Sequence, residues 1–173
     1  MIVTVSGDPS PNSPTLHLAE QVSAAIAAHL GRSTPATVDL ARLAPQLLGT
    51  GSTDVSRAVE LVRRASLLVV ATPTRQRGYA AVLKLFGEVL PADGLLGIGA
   101  VPVVTAPEPR GSHETHRQLA DWLAGLGATV VDPPLLMPET LVARPRAVAL
   151  AYAVRLLGTL PPVPVRPAVW LPA

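Results

Sequence analysis

The 173-residue sequence predicts an α/β domain: a three-layer sandwich in which a five-stranded parallel sheet of order 2-1-3-4-5 carries helices on both faces. Three observations carry this prediction. Five short apolar runs alternate with five stretches of helical periodicity along the chain. The run Ser66–Ala71, reading SLLVVA, is apolar without alternation, as expected of a strand covered on both faces. Parallel pairing needs a long crossover between strands, and the intervening segments are long enough to supply one.

Met1–Ser6 is a short β-branched run and the first strand, closed by a loop of Gly, Pro, Ser and Asn. Thr15–Leu30 places Leu16, Ala19, Val22, Ile26 and Leu30 near helical spacing. Ala36–Leu40 is the second strand. Asp54–Arg64 is the second helix, with Val55, Ala58, Val59 and Val62 inward and Thr53 or Asp54 at its cap. Ser66–Ala71 is the third strand, Tyr79–Leu90 the third helix and Ile98–Thr105 the fourth strand. Ser112–Leu126 reads as a helix, Ala128–Asp132 as the fifth strand and Ala143–Gly158 as the last helix. Residues 1–160 form one domain and 161–173 a Pro-rich tail, which reads either as an SH3-type ligand or as an extended segment anchored by Val169 and Trp170.

Composition narrows the function classes. The apolar fraction is 49% but aliphatic, with two Trp, two Tyr and one Phe, and the net charge is only +2. A nucleic-acid footprint needs a clustered basic face, so none is expected. The absence of cysteine excludes disulfides, thiolate metal sites and cysteine nucleophiles. No apolar run reaches the roughly 18 residues of a spanning helix and no secretory leader is visible, so a cytoplasmic protein without membrane contact is expected. His113-Glu114-Thr115-His116 lacks the H-E-x-x-H spacing and reads as a polar first turn, so no metal is expected. Gly94–Gly99 and Gly49–Asp54 do not match G-x-G-x-x-G, and G-x-S-x-G is absent. A phosphoacceptor receiver needs an aspartate at the end of the third strand, where this chain has Ala71-Thr72, and Asp8 alone is insufficient.

The topology brings the loops after strands one, three and four to one crevice, where open α/β sheets bind ligands. The first loop, SGDPSPNSPTLHLAEQ, has Gly7 for a tight turn, three stiffening prolines, and the hydroxyls of Ser10, Ser13 and Thr15 around a helix start. It serves either as a capped helix entry or as an anion site built from amides and hydroxyls. The third-strand loop, ATPTRQRGY, places Arg75 and Arg77 at a buried strand's end, and Arg110 lies on a loop facing the same crevice.

Gly7, Pro9, Ser13 and Thr15, then Thr72-Pro73-Thr74, Tyr79, Leu83-Lys84, Phe86 and Leu90-Pro91, form an ordered set that resembles the NAD(P)H-dependent FMN reductases of flavodoxin-like fold, including the alkanesulfonate-system type. The resemblance covers roughly residues 1–130. It implies a flavodoxin-like sandwich, FMN as cofactor and NAD(P)H as hydride donor, with hydride transfer to flavin N5 and no catalytic acid, base or nucleophile. It further implies an FMN site at Ser10, Ser13, Thr15, Pro73, Thr74, Arg75, Gly78, Thr105 and Ala106, and a homodimer or homotetramer built partly through the Tyr79–Leu90 helix. Val82, Leu83, Leu85, Phe86 and Val89 on that helix exceed one apolar stripe, although a well-buried helix has the same pattern.

The chain departs from the family pattern at three places. Pro14 stands where an arginine is usual, Arg75 where a tyrosine is usual, and Thr105-Ala106-Pro107 where the family has T-G-G. Either the arginines stack on a flavin or pair with an anion, or they are a solvated loop face of a non-catalytic binding or partner subunit that has lost the flavin site.

Overall fold

The structure is a computed structural model and describes residues 1–76, 78–139 and 145–158. Arg77 and the proposed tail, with Val169 and Trp170, lie outside the described residues. The elements are β1 (Ile2–Ser6), α1 (Pro14–His29), β2 (Ala36–Asp39), α2 (Leu40–Leu47), α3 (Thr53–Arg63), β3 (Leu67–Arg75), β4 (Gly78–Tyr79), α4 (Ala81–Glu88), β5 (Gly99–Ala106), α5 (Pro109–Gly125), β6 (Thr129–Val130), β7 (Leu135–Pro138) and α6 (Pro145–Leu157).

The parallel sheet runs β2-β1-β3-β5-β6, with β7 also on β5 and β4 antiparallel to β3. Its main path is the flavodoxin-like order expected from the sequence, once the two-residue hairpin strand β4 is set aside. Successive side chains on a strand point to opposite faces. Thus Leu68 and Val70 join Val3, Val5, Ala100 and Val104 in one core beneath α2, α3, α4 and α5. Leu67, Val69 and Ala71 join Ile2, Val101 and Val103 in the other, beneath α1 and α6. Two cores explain why β3 shows no polar alternation.

Five features differ from the sequence reading; one is the cap of α3, which is Ser52, its Oγ accepting the Val55 amide at 3.3 Å, rather than Thr53 or Asp54. Leu40, assigned to the second strand, instead opens α2, a helix capped by the Asp39 carboxylate, which accepts the Ala41 amide at 3.2 Å. Leu40 and Leu47 anchor it in the core despite Pro45, whose missing N–H breaks the helical signal. The fifth strand is interrupted. β6 pairs with Gly99 and Ala100, and β7 resumes on the same edge opposite Val103 to Ala106, because Pro133 and Pro134 between them have no N–H for the ladder. β3 continues four residues past Ala71 to Arg75 and turns back into β4, so Tyr79 belongs to a hairpin and α4 starts at Ala81. Helix α5 begins at Pro109, a residue suited to a first helical turn, rather than at Ser112.

On α4, Val82, Leu83 and Phe86 are buried, and Leu85 and Val89 pack partly buried against the same core. Much of that helix's apolar surplus is therefore used within one chain.

Candidate flavin site at the carboxyl ends of β1, β3 and β5

The first loop is fixed from both sides. The Gly7 amide donates to the Ala71 carbonyl at 2.8 Å, tying the end of β1 to β3. A Cβ on Gly7 would lie 2.6 Å from Leu83 Cδ1 and closer still to Cγ, so α4 packs directly on the backbone here. Asp8, 5% exposed, accepts the Ser10 amide on Oδ1 at 2.9 Å and folds the loop into a tight turn. Asn12 adopts a left-handed φ of 54°, and its side-chain oxygen accepts from Arg42 at 3.0 Å. Ser13 caps α1, its Oγ accepting the Leu16 amide at 3.1 Å, and Pro14 follows at the first turn.

Buried hydroxyls link the loops. Thr15 Oγ1 and Thr105 Oγ1 lie 2.9 Å apart with both residues buried, joining the start of α1 to the end of β5. Pro73 stands in register with Thr105 across the β3–β5 ladder. The Thr72 hydroxyl accepts the Ala80 amide at 3.0 Å and fixes the base of the hairpin. Thr15, Pro73 and Thr105 therefore meet at one point, with Thr74 and Ala106 one residue further along their strands. Ser13 sits at the adjoining helix start and Ser10 on the exposed outer arm of the loop. Arg75 and Gly78 pair across the hairpin, Arg75 exposed and Gly78 half-buried.

Between the hairpin and the start of α5 lies a groove of about 880 Å³ lined by Gln76, Pro107, Glu108, Arg110, Gly111 and Glu114, with Gln118 at its end. Its floor is close-packed, since a Cβ on Gly111 would sit 3.4 Å from Thr74 Cγ2. The Thr74 hydroxyl is buried and has no hydrogen-bond partner among the described residues. Such an orphan is costly to leave unmade, and it lies against Gly111 rather than in the groove's own lining. Tyr79 packs against Trp122 with ring centroids 5.6 Å apart and planes tilted by 35°, and Lys84 Nζ lies 5.3 Å from the Tyr79 ring centre. Burial raises the Tyr79 pKa, keeping the phenol protonated.

The residues fit a flavin unevenly. The β3–β5 side offers a groove and a buried orphan hydroxyl close to it, while the backbone at Gly78 is covered by the Gln118 side chain, 2.7 Å from where a Cβ would stand. The α1 side does not match a phosphate. Pro14 supplies no N–H, the Ser13 hydroxyl accepts the Leu16 amide and the Thr15 hydroxyl pairs with Thr105; at the end of β5, Ala106 is buried at 1% exposure and Pro107 has no N–H. Among the described residues no cluster of three or more His, Asp or Glu converges on a metal-sized site. No described helix is long and apolar enough to cross a membrane.

Asp8, Asn12 with Arg42, Gln76, Glu114 and Gln118 were not among the expected site residues. Only Asp8 had a local signal, an acid directly after the loop glycine. The Arg42 contact depends on helix α2, which the sequence hides.

Known proteins place this geometry. The family described as NADPH-dependent FMN reductase matches residues 1–140. No curated protein matches the chain. Among solved structures, an oxidoreductase from Corynebacterium diphtheriae is similar at 22% identity and a TM-score of 0.75, over 92% of this chain and 97% of that one. An NADH:FMN oxidoreductase (EMOB) in its apo form is similar at 27% identity and a TM-score of 0.72, over 94% of this chain and 92% of that one. An NAD(P)H:quinone oxidoreductase from Methanothermobacter marburgensis shares the fold at 19% identity and a TM-score of 0.63, over 90% and 93% of the two chains. The family match spans most of the chain and all three loops of the crevice, and the chain belongs to the NADPH-dependent FMN reductase family of flavin-dependent oxidoreductases.

Proposed function

We propose that this protein is an NAD(P)H-dependent flavin reductase whose cofactor-binding surface comprises Ser10, Ser13, Thr15, Pro73, Thr74, Arg75, Gly78, Thr105 and Ala106. The observation that carries this reading is the convergence of three loops on the Thr15–Thr105 hydroxyl pair, next to a groove lined by Gly111, against which Thr74 with its buried, unpartnered hydroxyl packs. A flavin held there would supply the redox chemistry, hydride transfer between a reduced nicotinamide and the flavin.

The chain's own residues bind and orient. Thr74 gives a hydrogen bond to the ring's polar edge, and the β3–β4 hairpin, with Arg75 and Gly78 paired across it, covers one side. Gln76, Arg110 and Gln118 line the groove through which a nicotinamide or an oxidised acceptor reaches the flavin. No side chain is assigned a proton-transfer role. A cytoplasmic homodimer or homotetramer completes the reading.

A second reading has its own observation. The Ser13 hydroxyl already caps α1 and the Thr15 hydroxyl already pairs with Thr105, which is what a partner subunit that has lost its flavin also displays. Spectroscopy separates the two. Protein mixed with flavin and desalted retains the flavin absorbance band, and NADPH or NADH is oxidised in proportion to enzyme when flavin is added. A colourless protein that leaves flavin fluorescence unchanged supports the partner-subunit reading instead.

A further inference from the structure

The α1 end of the proposed flavin site is reduced in phosphate donors and holds a buried carboxylate, which repels one. Anion sites at helix starts work through free amides, donor hydroxyls and a nearby cation. In this loop the Ser10 amide is spent on Asp8 Oδ1 and the Leu16 amide on Ser13 Oγ, which leaves the amides of Asn12, Ser13 and Thr15. Pro14 has no amide proton. Thr15 and Thr105 spend one of their two hydroxyl protons on each other. The cation tethered to the loop, Arg42, donates to Asn12 and also to the Asp39 carboxylate at 3.3 Å, so its charge arrives already balanced. Asp8 adds a carboxylate at 5% exposure that forms no ion pair among the described residues.

A carboxylate and an exposed serine hydroxyl suit a ligand that donates hydrogen bonds. A ribityl chain ending in a neutral alcohol does so, and a phosphate dianion does not. We propose that this protein takes its flavin without relying on the phosphate: riboflavin binds at least as well as FMN, and Asp8 is the residue that sets this preference. The proposal rests on the flavin reading above and specifies the substrate of that same site.

Equilibrium titrations with riboflavin and with FMN, read by flavin fluorescence at low and high salt, test it without any turnover. The two dissociation constants should agree within about threefold, and FMN affinity should rise with salt, because screening weakens a like-charge repulsion. Asp8→Asn should tighten FMN about tenfold while leaving riboflavin within about threefold, a decade being about 1.4 kcal/mol. Pro14→Arg, at an exposed position, should shift the preference the same way without altering a buried group. Wild-type FMN affinity at least about tenfold above that of riboflavin and falling with salt, as a phosphate site behaves, overturns the proposal. So does riboflavin binding with FMN affinity unchanged in both variants. Failure of either flavin to bind overturns the flavin reading itself, and this proposal with it.

Discussion

Gly7→Ala is the sharpest structural test of how the first loop is held. The added Cβ would stand 2.6 Å from Leu83 Cδ1 and closer to Cγ, whereas carbon atoms in contact rest at about 3.5–4.0 Å. Roughly 1 Å of displacement is needed. Leu83 cannot provide it by rotating outward, since it is fully buried in a cluster with Phe86, Leu119 and Leu123. Overpacking of this kind costs about 1–3 kcal/mol, and a collision at Cγ rather than at a methyl tip favours the upper half. In urea, with a slope of about 2 kcal/mol/M, the midpoint should fall by about 1 M with the slope unchanged.

Leu83→Ala opens the space that the new methyl needs. Alone it should cost about 2–5 kcal/mol, but combined with Gly7→Ala the total should fall short of the sum by at least about 1 kcal/mol. A Gly7→Ala protein within about 0.5 kcal/mol of wild type, or additivity within that margin, would show that α4 does not clamp the loop.

Three further outcomes are expected. Thr15→Val or Thr105→Val each leaves a buried hydroxyl unpaired and should destabilise by about 1–3 kcal/mol, with the double variant recovering part of the loss in denaturant titrations. Tyr152→Phe strips the Pro133 carbonyl of a hydrogen bond held at 2.6 Å and should lower stability by about 1–2 kcal/mol, with near-ultraviolet circular dichroism confirming a native fold. His116 has a lowered pKa, first through burial and then through His113, against the opposing pull of Asp132 and Asp121. Its folded form thus binds a proton less readily than its unfolded form. Stability from this group is fully present above about pH 6.5 and is lost as pH falls from there through the lowered folded value. His116→Gln should flatten the acid limb of the thermal midpoint plotted against pH, and an unchanged limb would remove His116 from the account.

How much of this was legible follows from how local each signal is. β1 was visible by its β-branched residues and β3 and β5 by their apolar runs, and Ser13 and Thr15 were visible because a helix entry announces itself within a few residues. Helix α2 was hidden by Pro45, and the split edge strand by Pro133 and Pro134, where tertiary burial outweighs local preference. The hairpin at Arg75 and Gly78 was masked because β3 keeps extending after its apolar run ends. The pairing of Thr15 with Thr105 spans 90 residues and leaves no mark in either segment. The same holds for Asn12 with Arg42. Loop positions could therefore be read in advance, but not which of their polar groups were already taken.

The central claim is that the crevice at Thr15, Thr74 and Thr105 holds a flavin that exchanges electrons with a nicotinamide. Titrating wild type and Thr74→Val with flavin, then adding reduced nicotinamide anaerobically, tests it directly. The account predicts saturable binding to the wild type, bleaching of the flavin band faster than in free solution, and affinity at least about fivefold weaker in Thr74→Val, about the loss of one hydrogen bond. Bleaching no faster than for free flavin, or equal affinity in the two proteins, would contradict it.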